Sequence, residues 1–78
     1  MNLLQCTQGE LVRVVKVGGP SDIRERFTGL GVIRGSIIKI IRYAPLKDPV
    51  EVLVKGTRLS FRLEDVANIE VEKESTPT

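Results

Sequence analysis

The segment Gly29-Leu30-Gly31-Val32-Ile33-Arg34-Gly35-Ser36-Ile37-Ile38-Lys39-Ile40-Ile41 constrains the fold of this chain more than any other. Three glycines within seven positions supply backbone conformations that a Cβ opposes, and a run rich in isoleucine follows at once. Such a segment reads as a helix end, a glycine-hinged turn and a strand. Strand-length segments lie on both sides of it, which points to a small β-barrel with one helix inserted rather than to a scaffold for an active-site cleft.

Residues 10–17 are apolar on both parities, with Leu11, Val15 and Val17 on one side and Val12 and Val14 on the other, as in a strand covered on both faces. Gly18-Gly19-Pro20-Ser21 interrupts that run. Asp22 and Glu25 have the spacing of a capping box, and Ile23, Phe27 and Leu30 follow at i, i+4 and i+7, so a helix over 22–28 is predicted. Two helical turns do not persist alone in water, and this helix must be held by its apolar stripe packing on the sheet. Residues 36–42 form the second strand, in which Ile37 and Ile41 alternate against Ile38 and Ile40. Pro45 and Pro49 keep 43–49 a loop. Val50, Val52 and Val54 alternate with Glu51 and Lys55, and Lys55-Gly56-Thr57 turns the chain into 58–63 as a hairpin. A single helical turn over 64–67 and a closing strand over 68–72 complete the pattern.

The fold class expected is therefore mainly β: an SH3-like barrel of about five antiparallel strands, one short helix between the first two, and the first strand paired with the last. One domain over 1–72 is expected, with a flexible tail over 73–78.

Composition limits what such a domain can do. At 78 residues, about 60% of the unfolded chain's surface can be buried, enough for one thin core. No apolar run approaches the ~18 residues of a membrane span, and the first residues lack the pattern of a signal peptide, so a cytoplasmic location is expected. A single cysteine, Cys6, excludes an internal disulfide and reads as a small buried hydrophobe. The chain has no histidine, which removes the usual general base near neutral pH and the commonest transition-metal ligand. Glu64-Asp65 and Glu70 with Glu72 read as helix-terminal or solvated carboxylates, and the glycines match no phosphate-binding loop. No catalytic residue, metal ligand or cofactor site is assigned, and the chain is not read as an enzyme.

Binding remains. Residues 1–62 carry eleven Lys and Arg against five acids, and residues 63–78 carry Lys73 against five acids. A basic surface favours acidic partners, and basic strand edges also discourage edge pairing. The first two strands each have two apolar faces, whereas a barrel has one interior. The spare face must be covered by the inserted helix with Leu3 and Leu4, or by another molecule. Each aliphatic side chain buried there is worth about 1.5–3 kcal/mol. Val12, Val14, Ile38 and Ile40 are the candidate docking face, with Arg24, Arg26 and Arg34 as neighbouring cations. A nucleic-acid or ribosome-associated barrel is the competing reading, in which Tyr43 is the one exposed ring for stacking.

Leu4 with Gly9, the run Arg26-Phe27-Thr28-Gly29-Leu30-Gly31-Val32-Ile33-Arg34-Gly35-Ser36-Ile37-Ile38-Lys39-Ile40, Asp48-Pro49-Val50-Glu51-Val52, Leu59 to Arg62, Val66-Ala67 and Ile69-Glu70-Val71 together resemble the ferrous iron transport protein A family, FeoA. The resemblance covers about residues 3–72. Arg34 stands where that family often has proline, and Phe27 where it often has leucine. A similar domain closes some metal-dependent repressors, so a stand-alone relative of that domain is a further alternative. The resemblance implies a small accessory or regulatory protein of ferrous iron uptake, acting by contact with the FeoB membrane permease and its GTP-binding domain. It implies no nucleic acid partner, places the chain at the membrane only through that permease, and leaves self-association open.

Overall fold

Leu11–Val17 (β1) and Ile37–Tyr43 (β2) share one alternation of exposed and buried side chains in the computed structural model, which describes residues 1–74. A 3₁₀ turn, Leu3–Gln5, precedes β1, and helix α1, Ser21–Gly29, separates β1 from β2. Strands Val50–Val54 (β3) and Thr57–Phe61 (β4), helix Leu63–Val66 (α2) and strand Ile69–Lys73 (β5) follow. The sheet order is β4-β3-β2-β1-β5, with every neighbouring pair antiparallel. This is the expected barrel, with the first strand against the last.

Its two central strands correct the expectation of a spare apolar face. The register of β1 on β5 shifts between Val14 and Lys16, and that of β2 on β3 shifts between Ile40 and Arg42. Val15 and Ile41 are thus the extra residues of two β-bulges, and the inward parity changes at each. Val12 and Val14 point inward before the first bulge and Val17 packs on the core after it; Ile38 and Ile40 are followed by Tyr43 in the same way. The inward side thus passes from one parity to the other along each strand, and Leu11 and Ile37, before the bulges, keep to the outer face. Val12, Val14, Ile38 and Ile40 are at most 1% exposed, joined in the core by Val50, Val52, Phe61, Ile69 and Val71, and cannot form a docking face.

Helix α1 begins at Ser21 behind Pro20, and no side chain caps it. Asp22 falls inside the first turn, where its charge suits the helix dipole, so Asp22 and Glu25 do not form the expected capping box. The helix end is closed by a Schellman motif: the Val32 N–H donates to Phe27 O at 2.9 Å and the Gly31 N–H to Thr28 O at 3.0 Å. Gly31 carries the positive φ, +86°, that this closure requires. The reversal drops Val32 into the core beside Phe27 and leaves Leu30, expected in the apolar stripe, 42% exposed. Phe27 meets Phe61 edge to face at 4.9 Å between centroids.

Ser36 then locks the connection, because its hydroxyl donates to Gly31 O at 2.8 Å and accepts the Ile33 N–H at 3.1 Å. At the far edge, β5 runs to Lys73, the Glu74 N–H donates to Leu11 O at 3.0 Å, and the Glu74 carboxylate holds Arg13 at 2.8 Å. Ordered structure therefore passes beyond residue 72, and the rest of the expected tail, residues 75–78, lies outside the described residues.

Truncating Phe27 to alanine removes the helix's buried anchor and is expected to cost about 3–5 kcal/mol. Ser36→Ala strands an N–H and a carbonyl in a partly buried turn, for an expected loss of about 1–3 kcal/mol. Urea unfolding midpoints of the two variants against the parent chain measure both.

Candidate functional site

The connection from α1 to β2 projects from the barrel as a braced turn. The Ser36 N–H donates to Ile33 O at 2.9 Å, Gly35 in third position has φ +91°, and Arg34 occupies the second position. That is the backbone of a type II turn, in which proline is favoured at the place Arg34 holds. The turn is pinned to β1 by Gly35 N–H to Val14 O at 2.8 Å and Val14 N–H to Ser36 O at 2.9 Å. Leu30 and Ile33 are each 42% exposed and Ile37 is 37% exposed, so this segment offers apolar surface on a fixed backbone.

Arg24 and Arg26 lie on α1 and Arg34 in the turn beyond it, all three exposed. Arg26 donates to Asp65 at 2.6 Å, tying α1 to α2. With the Arg26 side chain about half exposed, such a pair contributes at most about 1 kcal/mol. Arg24 and Arg34 form no ion pair among the described residues. The structure thus puts the three arginines at the surface and the four aliphatics in the core. Leu30, expected in the buried helix stripe, is exposed instead, and Ile33 and Ile37 beside it are exposed apolar residues that the sequence reading did not single out; a type II signature at Ile33-Arg34-Gly35-Ser36 is the available signal for Ile33.

A second feature is a mainly apolar hollow of about 410 Å³ lined by Leu4, Cys6, Thr7, Gln8, Tyr43, Lys47 and Leu63. The Tyr43 hydroxyl donates to Cys6 O at 2.7 Å and reaches Leu3 O at 3.4 Å. Its ring is therefore half-buried and engaged with the N-terminal turn, which corrects its reading as an exposed stacking ring. Cys6 is buried, and desolvation, reinforced by the charge of Glu10, pushes its thiol above its ordinary pKa. The Thr7 N–H and hydroxyl both bond the Glu10 carboxylate, at 2.6 and 2.8 Å, and hold it below the usual carboxylate range. Among the described residues no three His, Cys, Asp or Glu side chains gather as metal ligands, and no helix is long and apolar enough to cross a membrane.

Residues 1–73 match the FeoA domain family. The chain belongs to that family. A Porphyromonas gingivalis relative, described as a Fe(2+) transport protein A/Fe(2+) transporter FeoB fusion protein, is 36% identical over 72 residues, which make up 92% of this chain and 8% of that protein. The chain thus spans under a tenth of that relative's length. The FeoA protein of Chlorobium tepidum has 32% identity and a TM-score of 0.91, over 100% of this chain and 74% of its own. Iron(II) transport protein A of Clostridium thermocellum has 27% identity and a TM-score of 0.88, over 94% and 45% respectively. The barrel with its helix after the first strand is the architecture this FeoA domain shares with them.

The raised thiol pKa means that the folded state keeps the Cys6 proton longer than the unfolded state does. Its share of stability is whole below the ordinary thiol range, about pH 8.5, and is lost as pH rises through the folded-state value. Modification of Cys6 by a thiol reagent at pH 8 is expected to be slow in the native protein and fast in urea; equal rates would contradict its burial.

Proposed function

We propose that this domain is an accessory component of ferrous iron uptake that works by docking on a FeoB-type permease from the cytoplasmic side, with the permease's GTP-binding domain as the surface engaged. The observation that carries this reading is the Porphyromonas gingivalis relative, in which a similar domain and a FeoB transporter are one polypeptide. Covalent linkage keeps two partners at high effective concentration, an arrangement that serves proteins whose contact is functional. The chain offers chemistry suited to contact: a braced turn with exposed Leu30 and Ile33, and the cations Arg24, Arg26 and Arg34 beside it in sequence.

Arg24 and Arg34, which no described carboxylate neutralises, are the residues through which an acidic permease surface is met; Arg26 contributes less because Asp65 already holds it. The aliphatic part of the contact comes from Leu30 and Ile33, in place of the core residues Val12, Val14, Ile38 and Ile40.

Arg34 supplies a test in which folding and binding move in opposite directions. Arg34→Pro fits the second position of the turn and is expected to stabilise the domain by about 0.4–1 kcal/mol, read by urea unfolding. The same variant, like Arg24→Glu, is expected to bind the purified permease about tenfold more weakly in calorimetry. Unchanged affinity in both variants, or no binding by the parent chain, would refute the reading.

A further inference from the structure

The two edges of the sheet are finished differently. Along the outer side of β5, the Met1 ammonium donates to Val71 O at 3.2 Å, the Val71 N–H donates to Met1 O at 2.7 Å, and Asn2 bridges to Glu70. No strand among the described residues pairs with the outer side of β4.

The hairpin fixes which groups that bare edge presents. Lys55 and Gly56, at φ +51° and +79°, form a two-residue turn that closes Val54 on Thr57. Antiparallel alternation then gives Thr57, Leu59 and Phe61 their hydrogen bonds with β3 and turns the N–H and C=O groups of Arg58 and Ser60 outward. Among the described residues those groups find no backbone partner in the turns and loops. Register also places Leu11, Lys39, Leu53 and Arg58 side by side across four strands. Neither Lys39 nor Arg58 has an ion pair among the described residues. A strand added beyond β4 continues this row with a residue opposite Arg58.

We infer that the free edge of β4 takes up an extended acidic segment of a partner protein as an added strand, its backbone bonded to Arg58 and Ser60 and a carboxylate opposite Arg58. The charge disfavours the obvious competitor. Two copies joined antiparallel through β4 would bring Arg58 and Arg62 of one strand near the arginines of the other, an arrangement that disfavours edge pairing. The acidic strand β5 of a second copy has its outer side occupied by Met1 and Asn2. The inference does not depend on the permease reading, because it specifies the chemistry of the segment and not its owner.

A capped peptide in which glutamate alternates with valine, titrated into the full chain and followed by backbone amide NMR, tests it. Shifts are expected to concentrate at Arg58 and Ser60. Ser60→Pro deletes an outward N–H without touching the β3 ladder, since proline is tolerated where an edge N–H faces solvent. That variant is expected to retain the parent's spectrum elsewhere and to bind about tenfold more weakly or worse. Arg58→Glu is expected to lose the glutamate peptide and to prefer its lysine counterpart. Shifts centred away from β4, undiminished binding by Ser60→Pro, or concentration-dependent shifts at β4 without peptide, the mark of self-pairing, would each overturn the inference.

Discussion

One extra residue in each central strand, Val15 in β1 and Ile41 in β2, governs the architecture. A β-bulge bends its strand and increases local twist, which a five-stranded sheet needs if it is to wrap a core this thin. The same insertion exchanges the faces. Without it, Val17 would leave the interior and Tyr43 would turn away from the N-terminal turn, whose carbonyls at Leu3 and Cys6 its hydroxyl now engages. The seating of Leu3 and Cys6 in the core is thus tied to a defect in a strand far along the chain.

The connection between the central strands shows how little chain is needed to make a rigid projection. A Schellman closure, a type II turn and one buried hydroxyl follow each other within the segment from Phe27 to Ser36. Each satisfies groups the previous one leaves open: the helix carbonyls of Phe27 and Thr28 are met by Val32 and Gly31, and the Gly31 carbonyl is met by Ser36. Loops that carry function are commonly mobile, and their binding is weakened by the entropy of ordering them. Here the exposed leucine and isoleucine stand on backbone whose conformation is already fixed.

Much of this was legible in the residues. The β-rich pattern, the helix between the first strands and the hairpin at Lys55-Gly56 follow from periodicity and from glycine's backbone freedom. The bulges were not legible, because an apolar residue at every position from Leu11 to Val17 except Arg13 and Lys16 describes a two-faced strand and a bulged strand equally well. Register depends on pairing with a distant strand, which local pattern does not contain. The same ambiguity sent Val12, Val14, Ile38 and Ile40 to a surface they do not occupy. Leu30 was misplaced for a local reason: extending helical periodicity past Gly29 ignores the reversal that Gly31 imposes, after which Val32 takes the core position. The surface position of the arginines is legible because long charged side chains are rarely buried, yet no pattern in the sequence reveals that Asp65 captures Arg26 while Arg24 and Arg34 have no ion pair among the described residues.

Helix α1 is fastened to the barrel through Phe27, the one fully buried residue among its nine, with Ile23 as a partial second contact. Most of its surface is consequently exempt from the packing rules that restrict the strands. Natural sequence drift can rewrite the charge and texture of that helix while the barrel beneath it stays the same.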